Sequence, residues 1–261
     1  MIYDTFTFNG EYDLLEIRLS ILADFVDKFI IVESKETFSG KPKTLYYEKE
    51  KERYKKWHDK IEYYVIPDVY KEKYMAMASL SPNTIGATHW KTEFCQKEAI
   101  KDALVNLKDS DVCFIGDVDE IWYPERIDYF KSVKEPEKLK LQVYSYFVNN
   151  RSDEEFWGTI VTKYQYVRGA CLNHLRVNSR KTIDTYGDHF TSMGGYEEVK
   201  RKLSDSYTRE SYWTEEVEDN LKMNIDSRLD FLGRGFTCTL SEVDLPKYVL
   251  DNKNKYGHLF A

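Results

Sequence analysis

The sequence predicts an α/β fold in which helices cover both faces of one mostly parallel sheet. Short apolar runs alternate with segments of helical period through the first half of the chain, and this alternation is typical of parallel sheets. A chain of 261 residues is long enough to bury one large core. An acidic cluster follows one of the apolar runs, at the kind of strand end where α/β proteins bind ligands. We therefore expect one domain with a site at the carboxyl edge of its sheet.

The first half of the chain contains three predicted strands and three predicted helices. Two helices repeat apolar residues at helical spacing, and the third is so highly charged that it fits a solvated outer face. In chain order we predict a helix over residues 12–26, a strand over 28–33, a charged helix over 48–60, a strand over 61–66, a long helix over 89–107 and a strand over 111–116.

The second half has weaker patterns and contributes additional strands. Pro124 opens a short helix, because proline suits the first helical position. Two segments then alternate in polarity as strands do, joined by a polar stretch that suits an antiparallel pair. The predicted elements are a helix over 124–133, strands over 139–148 and 159–168, a glycine-bracketed loop over 186–195, a helix over 196–203 and a mobile loop with helical pieces over 210–230.

Composition excludes several classes of protein. The net charge of -7 argues against nonspecific nucleic-acid binding, which needs a basic face. The four cysteines have no zinc-like spacing, so we predict reduced thiols and a cytoplasmic protein. No basic leader with an apolar core and no run of 18 apolar residues is present, so neither a signal peptide nor a membrane anchor is predicted. The sequence does not predict an oligomeric state.

The acidic cluster is the strongest candidate for chemistry. Asp117, Asp119 and Glu120 follow the predicted strand over 111–116. Two carboxylates in an Asp-x-Asp pattern suit Mg²⁺ or Mn²⁺, and such an ion also holds substrate phosphates. Its double positive charge would reverse the repulsion between the acids. The alternative is a solvated turn in which Glu120 caps the next helix.

Three other groups are weaker candidates. His189 could be a third metal ligand or a diphosphate contact, or an ordinary hydrogen-bonded histidine. Residues 37–43, with Lys43 at their end, could lie next to a phosphate or nucleotide or form a simple turn, and the spacing of a Walker loop is absent. Lys97 lies with Glu93 and Gln96 on a polar stretch of the long helix, which could face the site or solvent.

Five segments of the chain, in this order, resemble glycosyltransferase family 17. They begin with IYDTFTFNGEYDLLEIRL and continue with WKTEFCQKEAI, FIGDVDEIWYPE, GDHFTSMGGYEEVKRKL and LPKYVLDNKNKYGHL. The resemblance implies a GT-A type fold, with a Rossmann-like nucleotide-binding sheet in one domain over 1–261. It implies that residues 1–135 bind a nucleotide sugar and that residues 136–261 bind a glycan acceptor.

The resemblance also implies an inverting transfer and a set of roles. The donor would be a UDP-sugar, typically UDP-N-acetylglucosamine, with Mn²⁺ favoured over Mg²⁺, and the acceptor would offer a hydroxyl. Asp119 would bind the metal directly, and Asp117 would contact the ribose or reach the metal through water. Glu33 would lie near the nucleoside, and Lys97 stands where relatives often carry an arginine.

The catalytic base is left open between several acids. Asp188 replaces a tryptophan that relatives carry before the histidine, and Glu210 falls where relatives have a His-x-Glu. These two are the first candidates, and Glu154 and Glu155 are the next. Two other functions remain open: a metal-dependent phosphohydrolase or nucleotidyltransferase that uses the same carboxylates, and a catalytically inactive glycan-binding protein.

Overall fold

The computed structural model of the protein describes residues 1–84, 88–208 and 211–261. Within them the strands are β1 (Ile2–Thr7), β2 (Lys28–Glu33), β3 (Ile61–Val65), β4 (Val112–Asp117), β5 (Glu120–Trp122), β6 (Glu137–Ser145), β7 (Asn150–Lys163), β8 (Arg180–Thr191) and β9 (Cys238–Leu240). The α-helices are α1 (Tyr12–Leu22), α2 (Tyr46–Glu50), α3 (Tyr70–Leu80), α4 (Thr88–Ala103), α5 (Ile127–Ser132), α6 (Tyr164–Val167), α7 (Leu172–Asn178), α8 (Gly195–Ser206), α9 (Glu215–Asp226) and α10 (Lys247–Asp251). No helix of this described part is long and apolar enough to cross a membrane.

The strands form one mixed sheet in the order β3-β2-β1-β4-β7-β6-β8-β5, with β9 paired to β7. β3, β2, β1 and β4 are parallel to one another. β7 is antiparallel to β4 and to β6, whereas β6 and β8 are parallel. The mostly parallel sheet that the first half of the chain predicts is therefore confirmed, and the strands of the second half extend this sheet in mixed directions. The two strands predicted over 139–148 and 159–168 do pair in antiparallel fashion.

Helices cover both faces of the parallel part of the sheet, as predicted. Successive side chains of a strand point to opposite faces. Phe6, Phe29 and Phe114 accordingly pack on one face in a cluster that includes residues of α1. Ile30 of β2 and Ile115 of β4 point the other way and belong to a cluster with residues of α3 and α4. A third, smaller cluster joins α8 and α9 to the end of β6.

Of the strands that escape prediction, β1 and β8 do so because they carry polar residues or glycine. β1 lies between β2 and β4, and it buries Asp4 and Thr5 completely. These polar residues interrupt the apolar run that predicts a buried strand. Residues 186–191 belong to β8 rather than to a loop. Gly187 is needed there for close approach, because a Cβ atom would lie 2.5 Å from the carbonyl oxygen of Ile121 in β5.

Several element bounds also differ from prediction. α1 ends at Leu22, four residues early, and α4 ends at Ala103. The charged helix over 48–60 is a short α2 followed by a 3₁₀ turn over Lys51–Trp57. The polar segment predicted as a connection belongs to β7 from Asn150 onward. Within the segment 210–230 the predicted helical pieces form one regular helix, α9, over Glu215–Asp226.

Candidate functional site

A cleft of about 250 Å³ opens at the carboxyl ends of β1, β2 and β4. This is the edge where α/β sheets bind ligands. The cleft brings together five of the predicted site residues, which are far apart in the sequence: Lys43, Lys97, Asp117, Asp119 and His189. Glu33 and Asp188 are not among its lining residues. Glu210 lies outside the described residues.

A buried arginine holds the backbone of the acidic turn that borders the cleft. Arg18 of α1 is completely buried and forms a two-pronged ion pair with Asp4, with both N···O distances 2.7 Å. Its Nη1 also donates to the carbonyl oxygens that flank the turn, at 3.1 Å for Asp117 and 2.5 Å for Glu120. Because carbonyl groups at a turn have no ladder partner, this donor fixes the position from which the acidic side chains project.

Asp117 lies among cations from two helices. Its Oδ2 is 2.9 Å from Arg176 of α7 and 3.5 Å from Lys97 of α4, and Thr7 donates a hydrogen bond of 2.8 Å to its Oδ1. Burial alone would raise the pKa of the Asp117 carboxyl, but Arg176 and Lys97 hold that pKa well below its usual value. The side chain is therefore an anion that two cations stabilise.

Asp119 faces a different pair of groups. Its Oδ2 accepts a hydrogen bond of 2.8 Å from Lys202 of α8, and its Oδ1 lies 3.7 Å from Nε2 of His189. Burial would raise the pKa of the Asp119 carboxyl, but Lys202 and His189 lower it below its usual value. The His189 ring stacks on Phe156 at 4.2 Å between centroids, and its buried Nδ1 has no hydrogen-bond partner among the described residues.

Asp119 and His189 suit a divalent metal ion whose remaining coordination positions are filled by water and by substrate. The separation of 3.7 Å between Asp119 and His189 is too long for a hydrogen bond. It is close to the roughly 3 Å between neighbouring ligands of an octahedral ion with bonds of about 2.1 Å. In residues 1–84, 88–208 and 211–261 no group of three or more His, Cys, Asp or Glu side chains converges as a cage. Mg²⁺ commonly binds through one or two carboxylates and completes its shell with water and phosphate.

The three predicted metal ligands are thus divided between two positions. Asp119 and His189 face each other, whereas Asp117 points toward Arg176, Lys97 and Thr7. Metal binding by Asp117, Asp119 and His189 stays a prediction.

Glu120 has a structural role in the acidic turn. Its carboxylate is completely buried and accepts hydrogen bonds of 2.8 Å from both Thr159 and Arg176. It also fills the space beside two glycines, since a Cβ atom on Gly116 or Gly158 would come within 2.6 Å of it. The structure therefore places Glu120 where it orients Arg176, and neither as a solvated group nor as a helix cap.

Glu33 accepts hydrogen bonds at the amino end of α2, the helix that follows it in the chain. Its carboxylate accepts from the backbone N–H groups of Tyr46 and Tyr47, at 2.7 and 3.1 Å, and so satisfies the amino end of α2. Its Oε1 lies 2.6 Å from Nζ of Lys43, which borders the cleft. Burial lowers the pKa of the Lys43 ammonium despite this partner. Lys43 connects the Glu33 carboxylate to the cleft, and the predicted contact of Glu33 with a nucleoside stays a prediction.

Asp188 lies on the opposite side of β8 from His189, because successive residues of a strand face opposite ways. It is completely buried, and Tyr123 donates a hydrogen bond of 2.8 Å to its Oδ1. The other oxygen has no partner among the described residues. Burial raises the pKa of the Asp188 carboxyl to about 8. Its predicted role as the base stays a prediction, although the structure places it outside the cleft.

Replacing Asp188 with asparagine should raise stability at alkaline pH. The pKa of this carboxyl is about 8 in the folded protein against 3.8 for an ordinary aspartate. The folded state keeps a proton that the unfolded state releases, so the stability of the wild-type protein falls as the pH rises from about 4 to about 8. Asparagine stays neutral and can still accept from Tyr123. We expect the variant to have the higher unfolding temperature near pH 8, with the advantage shrinking toward pH 5, in thermal melts across this range.

The same Asp188→Asn variant tests the predicted base role. If Asp188 takes the acceptor proton, kcat should fall by about 100-fold or more. An activity close to that of the wild-type protein would remove it from the list of candidate bases. Equal unfolding temperatures of the two proteins at every pH would contradict the proposed protonation.

Two cations of the site, Arg176 and Lys202, escape prediction, whereas Lys43 and Lys97 are predicted. Arg176 and Lys202 lie on α7 and α8, 59 and 83 residues along the chain from the acids they contact. In the sequence both belong to polar helix faces, which usually meet solvent. Only the tertiary structure turns these faces toward the cleft.

The family model of glycosyltransferase family 17 matches residues 1–191 of the chain. The matched part runs from β1 to the end of β8, and so contains the acidic turn, Arg176 and His189. α8, which carries Lys202, lies beyond it. No curated protein matches the sequence.

Proposed function

The chain belongs to glycosyltransferase family 17, and on that premise we propose that it moves a sugar from a UDP-sugar to a hydroxyl group of a glycan with inversion at the anomeric carbon. The sugar we propose is N-acetylglucosamine. The sheet would be of the GT-A type, with residues 1–135 serving mainly the donor and residues 136–261 serving mainly the acceptor. Family membership supports sugar transfer; donor, sugar and metal are our proposals.

The observation that carries the proposal is the charge pattern of the cleft. Lys97, Arg176 and Lys202 surround the carboxylates of Asp117 and Asp119 at 2.8 to 3.5 Å. A nucleoside diphosphate brings negative charge that such cations can stabilise, especially as charge grows on the departing phosphate. Cations paired with acids also keep their protonation when no ligand is present: Asp117 and Glu120 hold the pKa of Arg176 above its usual value even though burial opposes them.

We assign the metal ion, the phosphates and the nucleoside of the donor to different regions of the cleft. Mn²⁺ or Mg²⁺ on Asp119 and His189 would, when bound, supply positive charge beside the diphosphate. Arg176 and Lys97 would contact phosphate oxygens, and Asp117 would orient them or reach the ribose. The nucleoside would lie toward the ends of β2 and β3, where Thr37 and Gln96 line the cleft. Lys43 borders the same end.

The donor sugar would extend toward His189 and Phe156. Phe156 stacks on the imidazole and lines the cleft, so an apolar ring face is available for the sugar. The acceptor hydroxyl then attacks the anomeric carbon from the side opposite the diphosphate. The chain must supply a base for the hydroxyl proton and cations for the departing group.

A transfer assay separates this function from its competitors. The protein is incubated with Mn²⁺, a panel of methyl glycosides and, in turn, UDP-N-acetylglucosamine, UDP-glucose, UDP-galactose and GDP-mannose. Products are identified by mass spectrometry. We expect a glycoside that has gained one sugar and, by NMR, the inverted anomeric configuration. Phosphoester cleavage without sugar transfer would favour a phosphohydrolase, and glycan binding with no turnover would favour an inactive binding protein.

A further inference from the structure

A second cavity adjoins the cleft and shares residues with it. This cavity of about 440 Å³ lies between the amino end of α1 and the amino end of α8. Glu11 and Lys202 line both the cavity and the cleft. Glu11 directly precedes α1 and, as a residue that lines both spaces, lies at their junction.

Among the described residues, Glu11 differs from the other acids of the cleft in forming no ion pair. Among the described residues, the other acidic side chains that line the cleft each form an ion pair, with partners as follows: Glu36 with Lys71, Glu93 with Lys97, Asp117 and Glu120 with Arg176, Asp119 with Lys202 and Asp205 with Arg201. Glu11 accepts a hydrogen bond of 2.9 Å from the backbone N–H of Asn9 through Oε2. An acid already bound to a cation is a weak base, because its partner stabilises the anion.

We propose that Glu11 is the catalytic base of the transfer and that the adjoining cavity holds the acceptor sugar. This inference rests on the proposed function and adds to it a base that the sequence does not predict and a place for the acceptor. The cavity presents the rings of Tyr12 and Tyr46 together with the polar side chains of Ser192, Glu198 and Arg201. Aromatic faces combined with hydrogen-bonding groups suit a sugar, which has both apolar and hydroxyl surfaces.

The chemical step balances with Glu11 alone as proton acceptor. The acceptor oxygen forms a bond to the anomeric carbon as the bond from that carbon to the diphosphate oxygen breaks. The electron pair of the broken bond leaves with the diphosphate. The hydroxyl proton passes to a carboxylate oxygen of Glu11, which is a neutral acid at the end of the step and returns the proton to water when the product leaves.

The surroundings of Glu11 support this role. Burial raises the pKa of its carboxyl, and Lys202 only partly opposes the effect. A carboxyl with a raised pKa is a stronger base. Lys202, at the same junction, would stand between donor and acceptor, with its ammonium on Asp119.

The test uses Glu11→Gln, because the amide oxygen can still accept from the Asn9 N–H but cannot take a proton. We expect kcat for transfer to methyl glycosides to fall by about 100-fold or more, with the affinity for the UDP-sugar unchanged in calorimetry. Glu11→Asp retains a carboxylate in a less favourable position and should recover part of the rate. Glu62→Gln is the matched control, since Glu62 of β3 forms an exposed ion pair with Lys28 of β2. Both residues lie at the amino ends of their strands, opposite the edge where the cleft opens, so this variant should transfer sugar as the wild-type protein does.

Each result decides one question. Transfer by Glu11→Gln within about threefold of the wild-type rate would overturn the assignment and leave the proposed function standing. Loss of donor affinity in Glu11→Gln would also overturn it, because Glu11 would then belong to the donor site. If the wild-type protein itself transfers no sugar to any acceptor or to water, the proposed function fails, and the role of Glu11 fails with it.

Discussion

Replacing Arg18 with methionine is expected to lower the free energy of unfolding by about 3 to 5 kcal/mol and to abolish sugar transfer. Both Arg18 and Asp4 are completely buried, so removal of the arginine leaves a carboxylate in the core without its counter-charge. The carbonyl groups of Asp117 and Glu120 also lose their donor. Methionine fills a similar volume, so the loss reports charge and hydrogen bonding rather than a cavity. Urea unfolding followed by circular dichroism measures the effect.

A double variant separates stability from activity. Adding Asp4→Asn to Arg18→Met removes the unpaired charge, and the asparagine can still accept from the Trp122 indole, which donates to Asp4 at 3.2 Å in the wild-type protein. We expect the double variant to regain much of the lost stability and little of the activity, because the acidic turn still lacks its donor. An Arg18→Met protein as stable as the wild type would contradict the structural role of the ion pair.

Replacing Asp119 with asparagine is expected to remove the Mn²⁺-dependent part of UDP-sugar binding. Asp119 is the acid that faces both His189 and Lys202 at the cleft. Loss of a group that merely supports a metal site costs about 10- to 100-fold in affinity, and loss of a ligand should cost at least as much. Calorimetric titration of the donor at fixed Mn²⁺ measures the change.

The control for this variant concerns Lys202. Asp119→Asn leaves the Lys202 ammonium without its ion-pair partner, which by itself could lower stability. The double variant Asp119→Asn with Lys202→Met removes both charges of this ion pair, so no unpaired ammonium remains. We expect it to unfold at a higher temperature than Asp119→Asn and still to bind no donor in a Mn²⁺-dependent manner. Unchanged Mn²⁺-dependent binding by either variant would show that the ion lies elsewhere.

The elements that the sequence predicts are those whose pattern depends on local residues and not on partners distant in the chain. β2 and β4 are uninterrupted apolar runs, and α4 repeats its apolar residues at helical spacing. β1 is not predicted because its central residues include the charged Asp4. The burial of Asp4 depends on its ion pair with Arg18, which a local sequence pattern does not reveal. β8 is hidden for a similar reason, since Gly187 and the polar residues around it resemble a loop.

The residues of the site likewise include some that a local sequence pattern predicts and some that depend on tertiary packing. Asp117 and Asp119 follow a strand within three residues of each other, so a local pattern finds them. Arg176, Lys202 and Glu11 reach the cleft only through the packing of α7, α8 and α1. The loop predicted over 186–195 also has a consequence for function. A loop lets Asp188 and His189 both face the cleft, whereas a strand turns them to opposite sides.

The measurement that tests the account most directly is a titration of UDP-N-acetylglucosamine into the wild-type protein with and without Mn²⁺. In the proposed site the donor diphosphate lies beside Asp119, His189 and the cations of the cleft, so we expect heat of binding that depends on Mn²⁺ and disappears in Asp119→Asn. UDP alone should compete, because it carries the diphosphate. Binding that is equally strong with and without Mn²⁺, or absent in both, would contradict the proposed donor site.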